Sequence, residues 1–298
     1  MRMAINWQKL CLTALALWLL AVARMAQAAD PPPAASASAT TPAGKLKLST
    51  ADEFKAAFEQ VPCKNDARLA AVKALFETLG ATPEAINLAK FKNVENLVIT
   101  KPGKSPEKIV VGAHYDKVSE GCGAFDNWTG IVAIAHLYRT LKDAPTEKTL
   151  LFVAFGKEEA GLLGSAAMTK EIAKEQVAEY CAMVNIDSLG VGVPQVMRNT
   201  SSPKLETLAE AVAKEMQMPF AKAAIEGADA DSSSFVSKKI PAVTLHALGN
   251  DWQKLLHSGN DQPSKVNAQS VYLGYRLALS LLARIDAADC QAFREVKK

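Results

Sequence analysis

Five short segments of the 298-residue chain carry carboxylates and imidazoles in combinations that divalent-metal chemistry requires. GAHYDK holds His114 and Asp116, GAFDNWTG holds Asp126, and FVAFGKEEAG holds the adjacent Glu158 and Glu159. VNIDSLG holds Asp187, and LHSGND holds His257 and Asp261. Taken singly each says little, because a lone aspartate after a strand commonly caps a helix and an isolated histidine commonly packs or faces solvent. Gathered in one place they pose an electrostatic problem, since that much buried negative charge costs many kcal/mol without a counter-ion. One or two bound divalent cations remove it. Mixed imidazole and carboxylate donors suit Zn2+, with Mn2+ and Co2+ also compatible. In an extended segment His114 and Asp116 project to the same side, so Asp116 can accept the imidazole N–H that faces away from a metal. Glu158 and Glu159 are neighbours and must point apart, one to bind metal and one to act as general base on a water. The competing reading of that pair is a helix N-terminus carrying favourable acids.

Such groups converge only if the fold brings them together. Phe54, Ala57 and Phe58 stand at helical spacing after Ser49-Thr50, and Leu69, Val72, Leu75 and Phe76 recur at three and four before Gly80. Strands are predicted over 94–100 and 108–112, separated by a Pro-Gly turn, and over 149–155, 181–186 and 240–245. Helices are predicted over 128–142, 160–178, 204–216 and 268–285. The run TLLFVAF at 149–155 is apolar almost throughout, as a strand covered on both faces must be. This alternation implies an α/β fold, a single-domain three-layer sandwich with a mostly parallel or mixed central sheet and helices on both faces. Ligands of open α/β sheets bind beyond the carboxyl ends of the strands, where the acid- and histidine-bearing segments fall.

Composition narrows the remaining classes. With 49% apolar and 22% charged residues the chain is neither collagen-like nor low-complexity. Arg2, Lys9 and Arg24 lie in the first 28 residues, which contain no acid, so the remainder carries 31 basic and 31 acidic side chains. That neutral body gives nucleic acid no electrostatic footprint. An apolar run from Leu10 to Ala23 and the small-x-small sequence Ala26-Gln27-Ala28 mark residues 1–28 as an export signal. A short membrane anchor is the competing reading, although a span needs about 20 apolar residues. The expectation is a periplasmic or secreted protein with no membrane association after signal cleavage. Residues 29–47, rich in Pro, Ala, Ser and Thr, are expected to be a disordered linker ahead of a domain over 48–298. Cys63, Cys122, Cys181 and Cys290 permit two disulfides in three connectivities, with buried free thiols as the alternative. The chain has neither a G-x-S-x-G elbow nor an H-E-x-x-H helix.

The ordered motifs GAHYD, GAFDN, FGKEEAGLLGS, NIDSLG, DSSSF…IPAV and LHSGND, over roughly residues 90–285, resemble the zinc exopeptidase family of bacterial leucyl-type aminopeptidases, glutamate carboxypeptidase II and glutaminyl cyclases. The resemblance implies two Zn2+ ions, one on His114 and Asp187 and the other on Glu159 and His257, with Asp126 bridging. It implies Glu158 as general base, Asp116 as the partner that orients His114, and a cis peptide after Asp126. The implied activity is hydrolysis of N-terminal residues from peptide substrates by a hydroxide bridging the metals, with Glu158 moving the proton. A glutaminyl cyclase on the same scaffold is the alternative, although DNWTG and EEAGLLGS read closer to the peptidases, and a non-catalytic exported metal-binding module is a third. Two departures stand out. Where the family often has Ser-Asp-His, this chain has Ala230, Asp231 and Ser232, and no tyrosine between Tyr180 and Tyr272 can serve the oxyanion as in several members.

Overall fold

The computed structural model describes residues 46–295; the expected signal over 1–28 and residues 29–45 of the expected linker lie outside the described residues. Eight strands form one sheet: β1 (Ile86–Phe91), β2 (Val94–Lys101), β3 (Lys108–His114), β4 (Thr149–Phe155), β5 (Tyr180–Ile186), β6 (Gln195–Met197), β7 (Ala221–Ala223) and β8 (Ala242–His246). Their order is β1-β2-β4-β3-β5-β8-β6-β7. The inner strands β4, β3, β5 and β8 run parallel, while β2 and β6 flank them antiparallel. The expected mixed α/β sheet is therefore present.

Among the described residues seven α-helices pack on it: α1 (Ala51–Phe58), α2 (Asn65–Thr78), α3 (Thr129–Leu141), α4 (Leu163–Glu171), α5 (Pro203–Glu215), α6 (Ser232–Ser237) and α7 (Ala268–Ala287). Side-chain alternation along β3 divides the core. Ile109, Val111 and Ala113 pack with Phe54, Val72, Ile134, Leu205 and Leu281 from α1, α2, α3, α5 and α7. On the opposite face Val110 packs with Val153, Met183 and Phe235, and Met168 of α4 closes that layer. Because both faces are covered, the inner strands are apolar at nearly every position. Local chemistry sets the ends of the helices. Thr50 and Glu53 form a capping box at α1, and the Asn267 side chain accepts from the Gln269 and Ser270 amides at α7.

One helix departs from the reading of its sequence. The expected helix over 160–178 is confined to α4, with a 3₁₀ turn over Lys174–Glu179. Gly161 and Leu162 hold positive φ of 97° and 60°, so the helix cannot start before them, and Ile172 is extended. The edge strand β1, with half its residues exposed, and the short β6, β7 and α6 were not anticipated, because none carries a sustained apolar period. The cysteines pair as Cys63–Cys122 and Cys181–Cys290. Among the described residues no helix is long and apolar enough to cross a membrane.

Candidate metal centre

The parallel strands deliver their polar residues to one end of the sheet. His114 is the last residue of β3, in register with Phe155 of β4, and Asp187 follows β5 directly. Glu158 and Glu159 lie in the turn after β4, Asp126 in an irregular turn leading into α3, and His257 in the loop between β8 and α7. Three of these segments need left-handed backbone at non-glycine residues: Lys157 (φ 55°), Ser188 (φ 57°) and His257 (φ 53°). Such conformations persist where the surroundings over-determine them, and they concentrate at functional sites.

The side chains converge on Asp126. Its Oδ1 lies 3.1 Å from His114 Nε2 and its Oδ2 lies 3.1 Å from His257 Nε2. His114 Nε2 is also 3.7 Å from Asp187 Oδ1 and 3.9 Å from Glu158 Oε2, and His257 Nε2 is 3.1 Å from Glu159 Oε2. Two compact donor groups result, His114–Asp126–Asp187 and Asp126–Glu159–His257, each with its donor atoms within 4.8 Å of one another. A further group joins His114 with Glu158 and Glu159. His114 is buried, whereas the His257 side chain is 55% exposed. His114 Nδ1 lies 3.2 Å from the Asp116 carbonyl oxygen and 3.7 Å from its carboxylate, leaving Nε2 directed at the cluster. The Asp116 carboxylate accepts the amides of Glu158 at 2.9 Å and Glu159 at 3.2 Å, so this residue also fixes the turn bearing the glutamate pair. The Asp126–Asn127 peptide is cis.

The electrostatics describe a pocket short of positive charge. Burial, reinforced by Asp231, Asp187 and Asp126 and opposed by His114, pushes the Glu158 carboxyl up to about 10. Burial and Asp126 push Glu159 up to about 7. Burial works against the Asp126 carboxylate, but the two imidazoles hold it well below the usual carboxylate range. The Asp126 hydrogen bond raises His257 to about 9, and His114 rises well above the usual imidazole range despite its burial, drawn up by Glu158 and the surrounding aspartates. One oxygen of Glu159 is buried without a partner, and so are both oxygens of Asp231. The donor set is all carboxylate and imidazole, which fits zinc.

Several residues that shape this site were given no role in it by the sequence reading. Asn127 is fully buried; its Nδ2 donates to the Ile186 carbonyl at 2.9 Å, and its Oδ1 accepts the Gly130 and Ser188 amides. It ties the segment after β5, and with it Asp187, to the start of α3. Arg68 is fully buried on α2 and donates to the carbonyls of Pro62, Tyr115, Cys122 and Gly123. The sequence did hold a signal for it: Arg68, Val72 and Phe76 share one helical stripe, and an arginine on a buried stripe must find partners. His136 and His246 are buried away from the cluster. Trp252 lines the cavity of about 440 Å³ that contains the cluster, together with Met197, Ile225, Leu248 and Leu256, whereas Trp128 lies under Arg68 and donates to Ala57.

A mixed α/β sandwich that gathers imidazoles and carboxylates beyond its parallel strand ends has the ligand crevice of open α/β folds, lined here with metal-type donors. The chain belongs to Peptidase family M28, whose family model matches residues 96–281. It is 36% identical over 120 residues to Aminopeptidase YwaD of Bacillus subtilis strain 168, covering 38% of this chain and 26% of that protein. The chain spans about a sixth to just over a third of the length of the curated relatives it matches. Its fold is similar to that of BSAP, a zinc aminopeptidase from Bacillus subtilis, with a TM-score of 0.59, 21% identity and coverage of 67% and 53% of the two chains. It is likewise similar to a glutaminyl cyclase from an Acidobacteriales bacterium, with a TM-score of 0.66, 17% identity and coverage of 87% and 99%.

Proposed function

We propose that this protein is a two-zinc aminopeptidase that removes N-terminal residues from peptides. The observation carrying this reading is Asp126, whose two carboxylate oxygens each lie 3.1 Å from a different imidazole, so that two donor groups share one carboxylate. His114 and Asp187 would hold one ion, Glu159 and His257 the other, and Asp126 both. Zinc so bound supplies Lewis acidity toward the scissile carbonyl and lowers the pKa of water toward neutrality. Glu158 belongs to neither of the two groups that share Asp126, and cations bound beside its buried carboxyl would favour the ionised form that a base requires. It accepts the proton of the attacking water and returns it to the leaving amine. Asp116 holds the turn that presents it.

The cavity supports amino-terminal rather than carboxy-terminal trimming. Among the described residues lining it is Asp229, a carboxylate outside the proposed ion groups, and no lysine or arginine, which favours a terminal ammonium over a terminal carboxylate. Met197, Ile225, Leu248, Trp252 and Leu256 supply an apolar wall for the first side chain. The two disulfides support function in an oxidising, exported compartment.

Glu158→Gln tests the assignment. It is expected to bind zinc as the native protein does and to lose about 10²–10⁴-fold in kcat on aminoacyl amides. Turnover near the native rate in that variant would falsify the role of Glu158. Chelation is expected to abolish activity and added zinc to restore it. Incubation with a Gln-initiated peptide tests the cyclase alternative, which requires ammonia release without peptide cleavage.

A further inference from the structure

We propose that Asp261 is a positioning residue for Asp126, setting how tightly the paired ion site closes. This inference rests on the metal-binding reading of Asp126. Asp261 is buried, and its Oδ1 accepts the amides of Ala124 and Phe125, each at 2.7 Å, while its Oδ2 accepts the Asp126 amide at 3.2 Å. Three consecutive amides thus converge on one carboxylate, and the third belongs to the residue shared by both donor groups. The main chain adds a second link, because the Cys122 amide donates to the Asp261 carbonyl at 2.7 Å. Gly121 permits this approach. A Cβ there would come within 2.4 Å of the Ser258 carbonyl oxygen and 3.0 Å of the Asp261 Cβ, and its φ of 62° favours glycine.

Asp261 stands four residues after His257, so this anchor docks the His257 loop directly on the Asp126 loop. The two imidazole-facing oxygens of Asp126 are separated by one carboxylate group, so a small rotation of that loop lengthens one contact as it shortens the other. Arg68 grips the same loop from the opposite polarity. It takes the carbonyls of Cys122 and Gly123 while Asp261 takes the amides of Ala124, Phe125 and Asp126. The turn that presents Asp126 is therefore strung between a buried cation and a buried anion, and Cys63–Cys122 fastens it covalently to the segment before α2. Partners of this kind beyond the ligands themselves typically contribute a factor of about 10–100 to metal affinity.

The test measures zinc affinity by competition with a chromogenic chelator, beside thermal unfolding and amide hydrogen exchange of the metal-free protein. Asp261→Ala is expected to weaken binding of the more weakly held zinc about 10–100-fold. Asp261→Asn keeps an oxygen for Ala124 and Phe125 but sets an NH2 group against the Asp126 amide, and is expected to weaken binding by less than the alanine variant does. Hydrogen exchange should mirror this pattern, with the Asp126 amide fast in both variants and those of Ala124 and Phe125 fast only in the alanine variant. Should the alanine variant fail to fold, the asparagine variant decides on the same measurements. Native zinc affinity in the folded variants, with or without a lower Tm, overturns the inference. A native protein that takes up no zinc at all defeats the metal reading itself, a separate outcome.

Discussion

At the scale of single residues, the two imidazoles are not equivalent. His114 is buried at the end of a central strand and faces Asp126, Asp187 and Glu158, whereas His257 sits on an exposed loop and faces only Asp126 and Glu159. His257→Ala removes a donor from one group and leaves His114, Asp126 and Asp187 in place. That variant is expected to retain one zinc per chain after dialysis against a weak chelator, while Asp126→Ala, which breaks both groups, retains none. Metal analysis of the dialysed proteins checks this, and equal retention by the two variants would remove Asp126 from its shared position. The residue types at the site were legible in the sequence because each short motif carries its own chemistry, as in the acid pair after a strand or the His-x-Asp spacing of His114 and Asp116. The roles of Arg68, Asn127 and Asp261 were not. The buried stripe of α2 marks Arg68 as needing partners but not which ones, because most partners of these three residues are main-chain groups of other segments, which leave no mark in the residue pattern.

At the scale of elements, the parallel strands separate stability from chemistry along their own length. Cys181 lies near the start of β5 and Asp187 immediately beyond its end, with an apolar stretch broken by Asn185 between them. The bond from Cys181 to Cys290 closes a span of 109 residues and pins the chain after α7 to the end of the sheet away from the metal-type residues. Replacing both cysteines with serine is expected to cost about 3–5 kcal/mol, since closing a long loop removes much chain entropy from the unfolded state. It should leave kcat/KM close to native below the unfolding transition. Denaturant unfolding with parallel activity assays checks both halves, and a large loss of activity in fully folded protein would mean the two ends are coupled. Strong patterns made the inner strands and α1, α2, α3, α5 and α7 readable. The shortened α4 was not, because the turn over Lys157–Leu162 spends its residues on presenting Glu158 and Glu159 rather than on continuing an apolar stripe.

At the scale of the whole molecule, two histidines outside the cluster are buried in the fold and resist protonation. His136 is buried in α3 with Nδ1 2.8 Å from Ser49 Oγ, and His246 is buried at the end of β8 with Nδ1 accepting the Leu248 amide at 3.2 Å. Burial lowers both to about 4, and in His136 the neighbouring Arg139 adds to the effect. Their ordinary value is about 6.5, so between about pH 6.5 and 4 the unfolded chain binds protons that the folded one refuses. The contribution of these two histidines to stability therefore falls as the pH drops through that window, by up to about 2–3 kcal/mol each. Glu53, held down to about 2 by its hydrogen bonds with Arg139, extends the decline below about pH 4.5. The raised groups of the acid and imidazole cluster, with Asp231 and Asp261 beside it, act on stability in the opposite direction over their own ranges, and a comparison of variants cancels them. In metal-free protein His136→Gln is expected to be less stable than the native chain at pH 7 and to close most of that gap by pH 4.5. Urea unfolding of the two proteins across this range tests the assignment. A gap that stays constant with pH would show that His136 is held in place without resisting protonation, and the loss on acidification would then belong to His246 and Glu53.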